Sequence, residues 1–284
     1  MVSFTICQNV CMTLIGTLVS HSVIVQVSDR RISLVRSDGS VQLRDDITNK
    51  AVLYENRAAL AYTGLAQLED EPTDMWLARR LVAASNLNDG LEKLSEDLTG
   101  LFRRRPYRGI RHSVVVAGWK RNGPHPPTGF SGLVSNHFQP GGKWLQSPAK
   151  RFDWFVEMAK PHVPTLVFVP NLMPRRSMIA LYRQLLRVKA RGLNVVNAVI
   201  LMAEAIQSVA EFRPTVGREL MVSVLPRSAV PRTHVTPGYV IQGNINPETP
   251  TFFNITASGD RVAYGPTIVM NDTIMSGFQL RSLS

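Results

Sequence analysis

MTLIGTLVSHSVIVQVSDRR, residues 12–31, decides how this chain is read. The apolar runs predict strands over 12–19 and 22–28, joined by the polar turn Ser20-His21-Ser22. In a hairpin the chain runs out and back. Asp29, which follows Thr13 by 16 positions, therefore returns beside the start of the first strand, with Arg31 close behind. Thr13 directly follows Met12. With the preceding residues removed, Thr13 carries a free amine beside its own hydroxyl, one way to turn a weak hydroxyl into a nucleophile.

The same strand-and-turn grammar continues outward. Ile32–Arg36 and Val41–Arg44 flank the turn Ser37-Asp38-Gly39-Ser40, and Lys50–Tyr54 and Ala58–Thr63 flank Glu55-Asn56-Arg57. Two helices come next. Pro72-Thr73-Asp74 starts the first, with acid early and Arg79 and Arg80 further along, as the helix dipole favours. Asp89–Arg104 is the second, with Leu91, Leu94, Leu98 and Leu101 on one face. Strands follow at His112–Trp119 and Phe130–His137, and Phe152–Val156 and Leu166–Val169 fit strand or helix. Ser177–Lys189 and Asn194–Phe212 read as a second helix pair, the latter strongly apolar and buried. Arg218–Leu225 is a strand, and the tail carries β-like runs at Tyr239–Gln242 and Ala263–Val269. Strands grouped apart from helix pairs predict an α+β fold with helices covering sheets. Three segments emerge: a lead over 1–11, a main domain over 12–226, and a C-terminal extension over 227–284 packed on that domain.

Bulk composition narrows the function. The chain has 284 residues with 44% hydrophobic and 19% charged content, enough for a sizeable core. No Lys or Arg precedes Arg30, so the basic start of a secretory signal is missing, and no apolar run approaches the length of a membrane span. Cys7 and Cys11 make neither a disulfide framework nor, without nearby ligands, a metal site. These features point to a cytoplasmic protein without metal or organic cofactor. The six histidines show no ligand spacing and read as turn, strand-edge or loop residues. No phosphate loop, dinucleotide fingerprint or Gly-x-Ser-x-Gly elbow occurs. The net charge of +11 and the cluster Arg103-Arg104-Arg105-Pro106-Tyr107-Arg108-Gly109-Ile110-Arg111 keep a nucleic-acid partner open.

Thr13 opening the first strand, Asp29-Arg30-Arg31 after the second, Lys50 opening a later one and Gly64 ending Ala61-Tyr62-Thr63-Gly64 form a pattern. With the order of helix pairs, it resembles the N-terminal-nucleophile hydrolases, in particular the bacterial relatives of the proteasome β-subunits. The resemblance covers residues 12–226 and implies a four-layer αββα sandwich. It implies that Thr13 Oγ attacks the carbonyl of a peptide or small amide, with its own α-amine, which titrates at about 8, as base. It further implies that Lys50, held by Asp29, favours the alkoxide. The Gly64 N–H would stabilise the oxyanion, and Ser33 would pair with the substrate backbone. Arg31 and Thr63 would support these groups, and a homo-oligomer is expected. Departures from the family pattern are equally visible. Met12 replaces the glycine that precedes the nucleophile in self-processing members, and Lys50 follows Asp29 by 21 positions, a few more than usual. Phe212–Gly217 lacks the family's late acid, leaving Thr215 as a hydroxyl there. A translation start at Met12 would expose Thr13 without self-cleavage. Cys11, 18 positions before Asp29, is a weaker alternative nucleophile. A catalytically silent member of the fold, acting as a scaffold, is the other reading.

Overall fold

The computed structural model describes residues 13–35, 40–45, 48–55, 57–121, 125–139, 143–160, 163–190, 195–227, 239–243, 255–256, 262–264, 267–270, 273–275 and 279–281. The lead with Cys7, Cys11 and Met12, the Ser37-Asp38-Gly39 turn, His162 and His234 lie outside the described residues.

The chain begins with β1 (Ile15–Val19), β2 (Val23–Asp29), β3 (Ile32–Val35), β4 (Val41–Asp45), β5 (Ala51–Tyr54) and β6 (Ala58–Thr63). A short pair, β7 (Gln67–Leu68) and β8 (Glu71–Pro72), leads into α1 (Thr73–Val82) and α2 (Leu87–Phe102). Next come β9 (Ser113–Lys120), β10 (Thr128–Ser135), β11 (Phe138–Gln139), β12 (Lys143–Trp144), β13 (Asp153–Met158) and β14 (Thr165–Val169). The helices α3 (Arg175–Ala190) and α4 (Val195–Ala210) precede β15 (Leu220–Pro226). The tail adds β16 (Tyr239–Gly243), β17 (Ile255–Thr256), β18 (Val262–Tyr264), β19 (Thr267–Met270), β20 (Thr273–Met275) and β21 (Gln279–Arg281).

Two large sheets organise these elements. One runs β14-β1-β2-β15-β16-β17 and the other β13-β10-β9-β6-β5-β19-β20. The opening hairpin explains the first. All residues of β1 and β2 are buried, so both faces of this ribbon are covered. Ser20 closes its turn, since its Oγ donates to Val23 O at 2.7 Å and accepts the Val23 N–H at 3.0 Å, leaving His21 and Ser22 exposed. In β2, Val25 and Val27 join α4 residues Met202 and Ile206, whereas Ile24 joins Ala59 and Trp119 of the other sheet. On the second sheet, Val52, Leu60 and Val114 pack with Trp76, Leu81, Leu94 and Leu98 of α1 and α2. Polar pins cross between the sheets: Gln26 Nε2 donates to Val115 O at 3.3 Å and Trp119 Nε1 to Leu225 O at 2.9 Å.

The element boundaries refine the sequence reading. The α2 helix starts two residues before Asp89 because Asn86 caps it, its side chain accepting the Asp89 N–H at 3.1 Å. The two ambiguous runs are strands, β13 and β14, each at the edge of a large sheet. In α4, Ala198, Met202 and Ile206 are buried, but Asn197, Glu204 and Ser208 are exposed, so its apolar stripe covers one face only. Among the described residues there are four helices, and none is long and apolar enough to cross a membrane.

Candidate active site

Hairpin register assembles the first half of the site. β1 pairs with β2 so that Ile15 lies opposite Ser28, which places Leu14 beside Asp29. The Leu14 N–H donates to Asp29 Oδ2 at 2.7 Å and the Asp29 N–H returns to Leu14 O at 3.2 Å. Thr13, immediately before this clamp, is 1% exposed. Asp29 Oδ1 accepts the N–H groups of Arg31 at 2.9 Å and Gly217 at 3.2 Å. Asp29 is thus held by three parts of the chain.

Lys50 supplies the second half from the other sheet. It lies just before β5 and is buried, with Nζ 2.6 Å from Thr13 Oγ1, 2.5 Å from Arg31 O and 3.5 Å from Asp29 Oδ1. An ammonium this far from water needs oxygen partners, and here they include the hydroxyl of Thr13. Burial pushes the Asp29 carboxyl above the usual carboxylate range. The Lys50 ammonium and the N–H groups of Leu14, Gly217 and Arg31 pull the other way, favouring the charged form.

Gly64 follows β6 at φ +114, a backbone conformation that a side chain strains. An added Cβ would stand 2.6 Å from Arg111 O and 2.7 Å from His112 Nδ1, so the loop lies directly against the segment entering β9. The Leu65 N–H donates to His112 Nδ1 at 3.2 Å, and Thr73 Oγ1 donates to Leu65 O at 2.8 Å. Leu65, which follows Gly64, is thereby held through both its N–H and its carbonyl.

Thr13, Asp29 and Lys50 are thus brought into direct contact, with Arg31 joined to Asp29 and Lys50 through its backbone. The Arg31 side chain reaches Pro214 O at 2.8 Å. Ser33 is buried in β3 opposite Leu43, and Thr63 is buried in β6 opposite Ser113. Thr215 is buried, but it is the Gly217 N–H that reaches Asp29 from the stretch lacking an acid. The contacts of Gly217 and His112 escaped the sequence reading, because each is a bond to a residue distant in sequence.

The histidines need a correction. His21 and His125 are exposed, as expected of turn and loop residues. His112 and His137 are buried rather than at strand edges. His112 packs among Tyr62, Phe102 and Phe152, with its Nε2 unpartnered, and burial holds it at about 3. His137 is lowered to about 4 by burial and by Arg111. Both rings are neutral at pH 7. Arg103, Arg104, Arg105 and Arg108 are exposed just after α2, where Arg104 pairs with Glu69 at 3.5 Å. No group of three or more metal-ligating side chains occurs among the described residues.

No protein-family model matches the chain, and no curated protein matches it in sequence. The solved structures similar to it include two Anbu proteins. A mutant of Anbu from Hyphomicrobium sp. strain MC1 is 12% identical with a TM-score of 0.46, over 81% of this chain and 88% of that one. Anbu, described as an ancestral beta-subunit, from Yersinia bercovieri is 12% identical with a TM-score of 0.46, over 81% of this chain and 86% of that one.

Proposed function

We propose that this chain is an N-terminal threonine amidohydrolase with the αββα sandwich of the N-terminal-nucleophile hydrolases. The observation that carries the reading is the 2.6 Å contact between Lys50 Nζ and Thr13 Oγ1, made by two buried residues 37 positions apart. A lysine head buried against a threonine hydroxyl stabilises negative charge on that oxygen. The mature chain begins at Thr13, whose α-amine then takes the hydroxyl proton, directly or through a water. Oγ1 attacks the carbonyl carbon of a peptide or small amide, and the Gly64 N–H holds the resulting oxyanion. The ammonium formed at the α-amine protonates the leaving nitrogen as the C–N bond breaks. Water, deprotonated by the same amine, then hydrolyses the acyl-Thr13 ester. Asp29 orients Lys50, and Arg31 contributes the carbonyl that anchors the ammonium. Ser33 pairs with the substrate backbone, Thr63 supports the Gly64 loop, and a homo-oligomer belongs to the same reading.

A catalytically silent scaffold of the same fold is favoured by one observation: residues 213–217 carry no carboxylate to support Thr13, and their Gly217 amide is spent on Asp29. The two readings separate on one experiment. Mass spectrometry of the native protein establishes whether Thr13 is its first residue, and a threonine-directed electrophile is then applied. Acylation of the Thr13 peptide, abolished by Thr13→Ala, supports the hydrolase. A folded protein beginning at Thr13 that takes no label refutes it in favour of the scaffold.

A further inference from the structure

We infer that β19, close to the far end of the chain, is an intrinsic part of the Thr13 site, and that Asn49 is the positioning residue through which it acts. The inference rests on the reading of Lys50 as the group that acts on Thr13 Oγ1.

Lysine carries a long flexible stem, so its head reaches one oxygen reproducibly only if the backbone at its root is fixed. Asn49 does the fixing. Its Oδ1 accepts the Ala51 N–H at 3.1 Å, so its side chain straddles the Lys50 backbone. Its own carbonyl accepts the Tyr62 hydroxyl at 3.0 Å. Its Nδ2 donates to Asp74 Oδ2 at 2.7 Å and lies 3.2 Å from Thr267 Oγ1. Thr267 Oγ1 donates to the same Asp74 oxygen at 2.6 Å, and Thr267 and Asp74 are buried. The first turn of α1 and the first residue of β19 therefore close a polar triangle on the residue before Lys50.

The sheet supports the same conclusion. β19 pairs in parallel with β5, Thr267 opposite Val52 and Val269 opposite Tyr54, and the Glu55 N–H extends this edge to Val269 O at 2.7 Å. In the sheet order β19 separates β5 from the edge. Without it, the strand that Lys50 enters would present an unpaired ladder to solvent. The pairing of β19 is thus a condition for a fixed Lys50.

The test compares the full chain with Thr267→Val, Thr267→Ser and Asn49→Ala. Valine keeps the branched shape and removes the hydroxyl, and serine keeps the hydroxyl. Two readouts are taken: the Lys50 methylene resonance in lysine-labelled protein, and the rate at which Thr13 takes the electrophile. Thr267→Val is expected to move the Lys50 resonance and slow labelling about tenfold or more. Thr267→Ser moves neither, Asn49→Ala reproduces Thr267→Val, and the Asn49→Ala/Thr267→Val double variant adds little further loss. An unmoved Lys50 resonance in folded Thr267→Val, or an equal movement in Thr267→Ser, overturns the inference. Should Thr267→Val not fold, an unmoved resonance in Asn49→Ala overturns it in the same way. Absence of label on the unaltered chain defeats the proposed hydrolase alone, because the Lys50 resonance reads the tail's effect independently.

Discussion

Asp29→Asn separates a carboxylate that holds the site from one that merely fills space, because asparagine has nearly the same shape. In the native protein Oδ2 takes the Leu14 N–H at 2.7 Å, Oδ1 takes Arg31 and Gly217, and Lys50 stands at 3.5 Å. With the amide oxygen placed at Oδ1, the new NH2 faces the Leu14 N–H, donor against donor, at a cost of about 1–3 kcal/mol. Lys50 stays buried and loses its counter-charge, and breaking such a pair from one side costs about 3–5 kcal/mol. Part of this is offset, because a neutral amide escapes the desolvation that pushes the Asp29 carboxyl up. The expected net loss is about 3–5 kcal/mol, a large share of a typical stability of roughly 5–15 kcal/mol. For a chain of this size it lowers Tm by roughly 6–20 °C. Urea unfolding of the parent, Asp29→Asn, Lys50→Met and the double variant measures it. The two single losses should couple by about 1 kcal/mol or more, because Lys50→Met removes the stranded charge. A loss below about 1 kcal/mol for Asp29→Asn, or strictly additive single variants, refutes the reasoning.

Gly64→Ala puts a side chain at φ +114 and a Cβ within 2.6 Å of the Arg111 backbone oxygen, which cannot rotate away. It should cost at least about 2 kcal/mol and sharply slow labelling of Thr13; a variant as stable and reactive as its parent removes Gly64 from the site. His112 and His137 are held at about 3 and about 4 when folded, against 6.5 when unfolded, so the unfolded chain binds their protons first. Their contribution is complete above pH 6.5 and is lost as pH falls toward 4 and 3. Urea titrations should show about 2–3 kcal/mol less stability at pH 5.5 than at 7.5. The raised Asp29 carboxyl works in the opposite direction, because the folded chain takes that proton first. A flat profile, or one unchanged by His137→Asn, contradicts the burial of these rings.

Much of the site was legible because its first half is local. Alternating turn and apolar signals place Thr13 and Asp29 at the two ends of one hairpin, and register converts that spacing into the Leu14–Asp29 clamp. Asn86 is a contrary case: the helix reading begins at Asp89, whereas the Asn86 cap starts α2 at Leu87. His112 and His137 misled for another reason. Polar rings at strand ends read as edge residues, and only the layer of Phe102, Phe152 and Tyr62 over His112 makes its surroundings dry.

By itself the sequence determined most of the longer elements: which runs form strands, which repeat as helices, and which of Thr13, Asp29, Lys50 and Gly64 open or close them. Those are local properties, fixed by side-chain period and turn chemistry. Tertiary structure alone decided that Lys50 crosses from one sheet to touch Thr13 on the other, and that Gly217 supplies an amide to Asp29. It also decided that Thr267 closes a triangle on Asn49. These contacts join residues 37, 188 and 218 positions apart. They exist only because the stacking of two sheets fixes distances that no spacing along the chain encodes.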